Sequence, residues 1–114
     1  MTVYNRTPQK TDEMAKEGAL AAYSLSELAQ RLTPPRVVWM MLPAGPAVDE
    51  HLHALRNLLS ADDIVVEGGN TYYKDDIRRA ALLEEKGIRF MDVGVSGGIW
   101  GLQVGHCMMV GGDK

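Results

Sequence analysis

Short apolar runs alternate along this chain with stretches whose apolar positions recur every three or four residues. MTVYN alternates as a β-strand does, and Thr7-Pro8, a cap residue before a first-turn proline, predicts a helix to about Lys16, ended by Gly18. ALAAYS is a short strand candidate, and Ser24 with Glu27 forms the Ser-x-x-Glu capping box of the helix LSELAQRL, which Pro34 and Pro35 stop. RVVWMML, Arg36 to Leu42, is almost continuously apolar, the pattern of a strand covered on both faces. Val48, Leu52, Leu55 and Leu59 share one face of a helix over Ala47 to Leu59. DIVVEGG reads as the next strand, Tyr73 to Lys86 as a charged helix ended by Gly87, and IRFMDV as a further strand.

Strand alternating with helix implies right-handed crossovers, so the expected fold class is α/β: a Rossmann-like, doubly wound, mostly parallel sheet with helices on both faces. At 114 residues the chain is at most one domain. A net charge of −3 with scattered Lys and Arg argues against nucleic acid as a partner. No apolar run approaches the roughly 20 residues of a membrane-spanning helix, and no signal-peptide pattern opens the chain, so no membrane partner and a cytoplasmic location are expected. Cys107 has no second cysteine to pair with.

Open parallel sheets bind ligands beyond the carboxyl ends of their strands, which here carry NRT, PAG, EGGN and GVSGG. Arg6 follows the first strand, where a dinucleotide fold places an acid for a ribose hydroxyl or an Arg for a 2′-phosphate; an ordinary solvated cation is the alternative. Met41 to Gly45 fits a strand end and tight turn. Gly68-Gly69 permits close approach, and Asn70 offers a donor and an acceptor or else a helix cap. Ser96-Gly97-Gly98 presents a hydroxyl and bare backbone N–H groups, or a plain reversal. No nucleophile elbow surrounds Ser96. His51 and His53 point to different helix faces and read as solvated, His106-Cys107 lacks a four-ligand set, and Met40, Met41, Met108 and Met109 read as core filler, so no metal is expected.

Taken together, YNRTPQK, MMLPAG, VVEGGNTYYKDD and FMDVGVSGGIWGLQVGHCMMVGG resemble the decarboxylating 6-phosphogluconate dehydrogenases of the β-hydroxyacid dehydrogenase group, along essentially the whole chain. The Gly-Gly-Asn and the Gly-x-Trp-Gly favour that branch over 3-hydroxyisobutyrate-type relatives. The resemblance implies NADP as cofactor rather than NAD, with Asn5, Arg6 and Thr7 at its 2′-phosphate end, Leu42, Pro43 and Ala44 further along, and Asn70 between cofactor and substrate. It implies that Ser96, Gly97 and Gly98 hold 6-phosphogluconate or a related sugar acid. The implied reaction is oxidative decarboxylation to ribulose 5-phosphate in the pentose phosphate pathway, by enzymes expected to be homo-oligomers.

Two parts of the family pattern are not found. A first strand with its G-x-G-x-x-G turn is expected before MTVYN, and the catalytic Lys and Asn, with a helical C-terminal domain, are expected beyond Lys114. Residues 1–114 therefore read as a partial NADP-binding domain, inactive and of marginal stability by itself, since strand 1 lies between strands 2 and 4 in the order 3-2-1-4-5-6. A non-catalytic binding module is the alternative from another functional class.

Overall fold

The computed structural model describes residues 1–112. Its elements are β1 (Thr2–Tyr4), α1 (Pro8–Lys16), β2 (Leu20–Ala22), α2 (Leu25–Arg31), β3 (Val37–Met40), α3 (Pro46–Leu58), β4 (Ile64–Glu67), α4 (Tyr73–Glu84), β5 (Arg89–Ser96), a 3-10 turn (Gly98–Trp100) leading into α5 (Gly101–Val104), and β6 (Cys107–Gly112). The Rossmann-like α/β class read from the sequence is the class observed. β1 and β2 pair in parallel, as do β3, β4 and β5. Among the described residues no ladder joins β1 to β3, so the sheet lies in two pieces, β1-β2 and β3-β4-β5-β6.

The core lies where α2 and α3 meet the two pieces: Leu28, Ala29, Val48, Leu52 and Leu55 pack with Ala22, Val38 and Met40. Ser24 starts α2 as its capping box requires, its hydroxyl accepting the Glu27 N–H at 3.0 Å. The return arm reaches one residue earlier than the usual pattern, for Glu27 Oε2 accepts the N–H of Tyr23 at 2.8 Å rather than that of Ser24.

Three readings need correction. β3 is not covered on both faces: Val38 and Met40 are buried, while Val37, Trp39 and Met41 are exposed. An unbroken apolar run cannot reveal this, because hydrophobicity shows that both faces are apolar and not that both are covered. Of the four methionines taken as core filler, only Met40 is buried. Met108 and Met109 lie instead in β6, an antiparallel edge strand that the glycine-rich sequence did not suggest and whose register sets Ser96 opposite Cys107.

One buried carboxylate fastens the start of β3 to the entry of β4. Asp63 accepts the Arg36 N–H at 2.7 Å, the Arg36 guanidinium at 3.0 Å and the Ser60 N–H at 2.8 Å. Burial pushes this carboxyl up, but the Ser60 and Arg36 N–H groups and the guanidinium outweigh that and hold it below the ordinary aspartate value. Asp63→Ala would strand three donors at a buried site, so a loss of roughly 3–5 kcal/mol in urea melts is expected. Because the folded carboxyl is the stronger acid, its contribution is complete above the ordinary value near pH ~4 and disappears as pH falls through the lower folded value. Asp63→Asn should lack that step in a pH series of melts. An unchanged acid limb would show that the clasp does not matter.

Candidate functional site

The carboxyl ends of β1 and β3 open on the same cleft, of about 740 Å³, which runs between the two sheet pieces. Asn5, Arg6 and Thr7 form one rim, and Leu42 and Pro43 the other. Ala44 lies just past that second rim. Thr7 occupies the N-cap position of α1, yet its side chain makes no capping bond. The turn is held otherwise: Asn5 Oδ1 accepts the Thr7 N–H at 2.8 Å, and Thr11 Oγ1 accepts the Asn5 N–H at 3.0 Å. Arg6 makes no ion pair among the described residues and stands exposed beside the start of α1. A guanidinium, a hydroxyl and the positive end of a helix dipole thus converge on one rim, a set suited to a phosphate.

His51 is not simply solvated. Helical period turns it toward the cleft wall, where it is half-buried 6.3 Å from the Tyr4 ring with Nδ1 2.7 Å from the Ala47 carbonyl. The carbonyl can only accept, so Nδ1 carries the hydrogen and Nε2 is the free nitrogen. His53 is exposed, as expected.

Asn70 lies elsewhere, in a shallower depression shared with Thr71, Asp92 and Gly94. It is not a helix cap, since α4 starts three residues later, at Tyr73, with Tyr72 at its N-cap. Gly68 and Gly69 are bare for reasons internal to the protein. A Cβ on Gly68 would strike the Trp39 indole, and one on Gly69 would lie 2.7 Å from the Leu42 carbonyl oxygen. The EGGN loop is therefore packed directly against the β3 exit, which ties Asn70 to the Leu42-Pro43 rim. Ser96, Gly97 and Gly98 are exposed and line neither hollow. Gly101, close by, is bare because the His106 ring lies against it.

Beneath Asn70 is a polar network that no spacing in the sequence suggested. Glu67 is fully buried at the end of β4. Its Oε1 accepts the Gly69 N–H at 2.9 Å, and the Thr71 hydroxyl lies 2.7 Å from its Oε2 and 2.5 Å from Asp76 Oδ2. Arg79, also buried, donates to Asp76 at 2.9 Å and to Asp49 of α3 at 3.0 Å. Asp49 is held below the ordinary aspartate value by the Arg79 hydrogen bond first, with Arg78 adding to it. The signal was out of reach because Asp49 and Arg79 are 30 residues apart.

Asp92 faces Glu67 across the β4-β5 ladder. Burial, then Asp76 and Glu67, push its carboxyl above the ordinary value. The unfolded chain therefore ionises first, and stability falls as pH rises from the ordinary aspartate value through the raised one. Asp92→Asn removes that cost, so its melting temperature should exceed the parent's at pH 7 and the difference should shrink toward pH 3. A variant that melts lower at pH 7 would contradict the assignment.

A sequence profile described as the NAD binding domain of 6-phosphogluconate dehydrogenase matches residues 1–114. The decarboxylating 6-phosphogluconate dehydrogenase of Staphylococcus epidermidis is 47% identical over 118 aligned residues, spanning 100% of this chain and 25% of the relative. The NADP(+)-dependent, decarboxylating enzyme of Bacillus subtilis is 43% identical with the same coverage. The structure of Plasmodium falciparum 6-phosphogluconate dehydrogenase superposes with a TM-score of 0.91 at 36% identity, over 99% of this chain and 26% of that one. A 3-hydroxyisobutyrate dehydrogenase from Mycobacterium tuberculosis gives a TM-score of 0.86 at 25% identity, over 97% of this chain and 38% of that one. The chain thus spans about a quarter of the length of the curated relatives it matches. Matched along its whole length, it belongs to the family of the NAD-binding domain of 6-phosphogluconate dehydrogenase.

Proposed function

We propose that this chain is the NADP-binding part of a decarboxylating 6-phosphogluconate dehydrogenase, and that the Asn5-Arg6-Thr7 rim reads the 2′-phosphate. The observation that carries this is an exposed Arg6, without an ion pair among the described residues, beside an uncapped α1 start. No carboxylate stands in NRT to take a ribose hydroxyl instead, which favours NADP over NAD. A guanidinium holds two phosphate oxygens at once, and the Thr7 hydroxyl is left to serve a third. Leu42, Pro43 and Ala44 line the way from that rim toward Asn70, which is packed close to them through Gly69 and the Leu42 carbonyl.

NADP supplies the hydride acceptor for oxidation of the sugar acid. This chain's residues bind and orient: Asn70 stands between cofactor and substrate, and Ser96 with the Gly97 and Gly98 N–H groups holds 6-phosphogluconate. Residues 1–114 thereby act as a partial NADP-binding domain. The reading carries with it a cytoplasmic location and assembly into homo-oligomers. Among the described residues no helix is long and apolar enough to cross a membrane.

The direct test compares 2′,5′-ADP with 5′-ADP on the chain by NMR titration. The 2′-phosphate compound should bind more tightly and perturb the Arg6 and Thr7 amides. Arg6→Ala should weaken it roughly tenfold to a hundredfold, as loss of charged hydrogen bonds does, and leave 5′-ADP unchanged. Equal binding of the two nucleotides by the parent chain would overturn the assignment.

A further inference from the structure

One buried carboxylate grips the residues on either side of Asn70. Glu67 Oε1 accepts the Gly69 N–H at 2.9 Å, and Glu67 Oε2 lies 2.7 Å from the Thr71 hydroxyl, so both neighbours of Asn70 are tied to a single side chain at the end of β4. Asn70 itself lines the hollow above them. The Thr71 hydroxyl is also 2.5 Å from Asp76 Oδ2. A hydroxyl has one hydrogen, so it can donate to one of these carboxylates and only accept from the other. If both were ionised, one anionic oxygen would face the hydroxyl lone pairs at hydrogen-bond distance in the protein interior. One of the two carboxyl groups must bring a hydrogen of its own.

The surroundings decide which one. Asp76 is ion-paired with Arg79 at 2.9 Å, and the same guanidinium serves Asp49 at 3.0 Å. Glu67 makes no ion pair among the described residues. It faces Asp92 across the β4-β5 ladder instead, and Glu67, Asp76 and Asp92 each place a carboxylate oxygen within 4.8 Å of the other two. Like charges this close oppose each other's ionisation, and the hydrogen belongs on the buried member that has no cation beside it. The 2.5 Å contact to Asp76 suits a hydroxyl donating to an ionised oxygen, and the 2.7 Å contact to Glu67 is the ordinary length between neutral groups.

We propose that Glu67 is a positioning residue for Asn70 and works as the neutral acid: its Oε2 hydrogen is donated to the Thr71 hydroxyl, which donates its own to Asp76. The Gly69 N–H, the Thr71 hydroxyl and the Asp76 carboxylate are then satisfied together, and Asn70 is held at both ends. The purpose of this grip rests on the proposed place of Asn70 between cofactor and substrate, whereas the hydrogen on Glu67 does not.

The test needs no ligand, so its failure is separate from failure of the cofactor reading. In the 114-residue chain labelled with carbon-13 at its glutamates, the Glu67 Cδ resonance at neutral pH should stand at the carboxylic-acid position, apart from the ionised glutamates. Glu67→Gln offers a carbonyl oxygen to Gly69 and an N–H to Thr71, so Gly69 amide exchange should stay as slow as in the parent and the Asn70 side-chain resonances should stay in place. Glu67→Met fills similar space without an oxygen. It should speed Gly69 exchange roughly tenfold, as loss of one hydrogen bond implies, and move the Asn70 resonances. If Glu67→Met does not fold, the Cδ resonance and the rescue by Glu67→Gln decide alone. A Glu67 Cδ at the carboxylate position would overturn the proposal. So would fast Gly69 exchange in Glu67→Gln, or a parent chain whose Gly69 amide is unprotected, since the grip would then be open.

Discussion

The sheet is discontinuous between β1 and β3, and the placing of nearly everything else depends on how that break is spanned. No strand ladder crosses it among the described residues. The pieces are joined through α2, whose Leu28 and Ala29 share one buried cluster with Ala22 of β2, Val38 of β3 and Leu52 of α3. Hydrophobic packing is non-directional, whereas ladder hydrogen bonds fix register. The distance between the Arg6 rim and the Leu42-Pro43 rim is therefore set by the α2 connection and by side-chain packing rather than by a ladder, and a cofactor reaching across would bridge the two pieces.

Beyond β3 the opposite regime holds. Asp63 fixes where β3 and β4 begin, and the Glu67-Thr71-Asp76-Arg79-Asp49 chain fixes where β4 ends and how α3 meets α4. Both are buried networks built on an Asp–Arg ion pair, where removing one member costs far more than the pair contributes. The loop bearing Asn70 is positioned by hydrogen bonds and by Gly69 against the Leu42 carbonyl. One side of the proposed site is stiff, and the other is positioned through apolar contacts.

The strand-helix alternation was legible because each element carries its own period and punctuation: the Ser24 box, the 4-3-4 face from Val48 to Leu59, and Gly87 after α4. What escaped was non-local. Whether β3 has a covered second face depends on what lies over it, and whether CMMVGG is a strand depends on β5 offering an edge in the right register. Arg6 and Asn70 could be singled out by their place after strands, but their setting could not: the uncapped Thr7 and the inward-turned His51 are outcomes of packing. The glycine-rich loops were legible as places of close approach. At Gly68, Gly69 and Gly101 the approaching groups are Trp39, Leu42 and His106 of the same chain.

Trp39 gives the open side of the sheet a voice of its own. The residue is 46% exposed, its indole rests on Gly68 and it stands on the strand that walls the cleft, while Trp100, at 63% exposed, follows Gly97 and Gly98 beyond the end of β5. Indole emission moves to shorter wavelength as water is withdrawn from the ring. Anything that settles over β3 will tint the protein's own ultraviolet fluorescence toward the blue, and Trp100 provides an internal reference in the same spectrum.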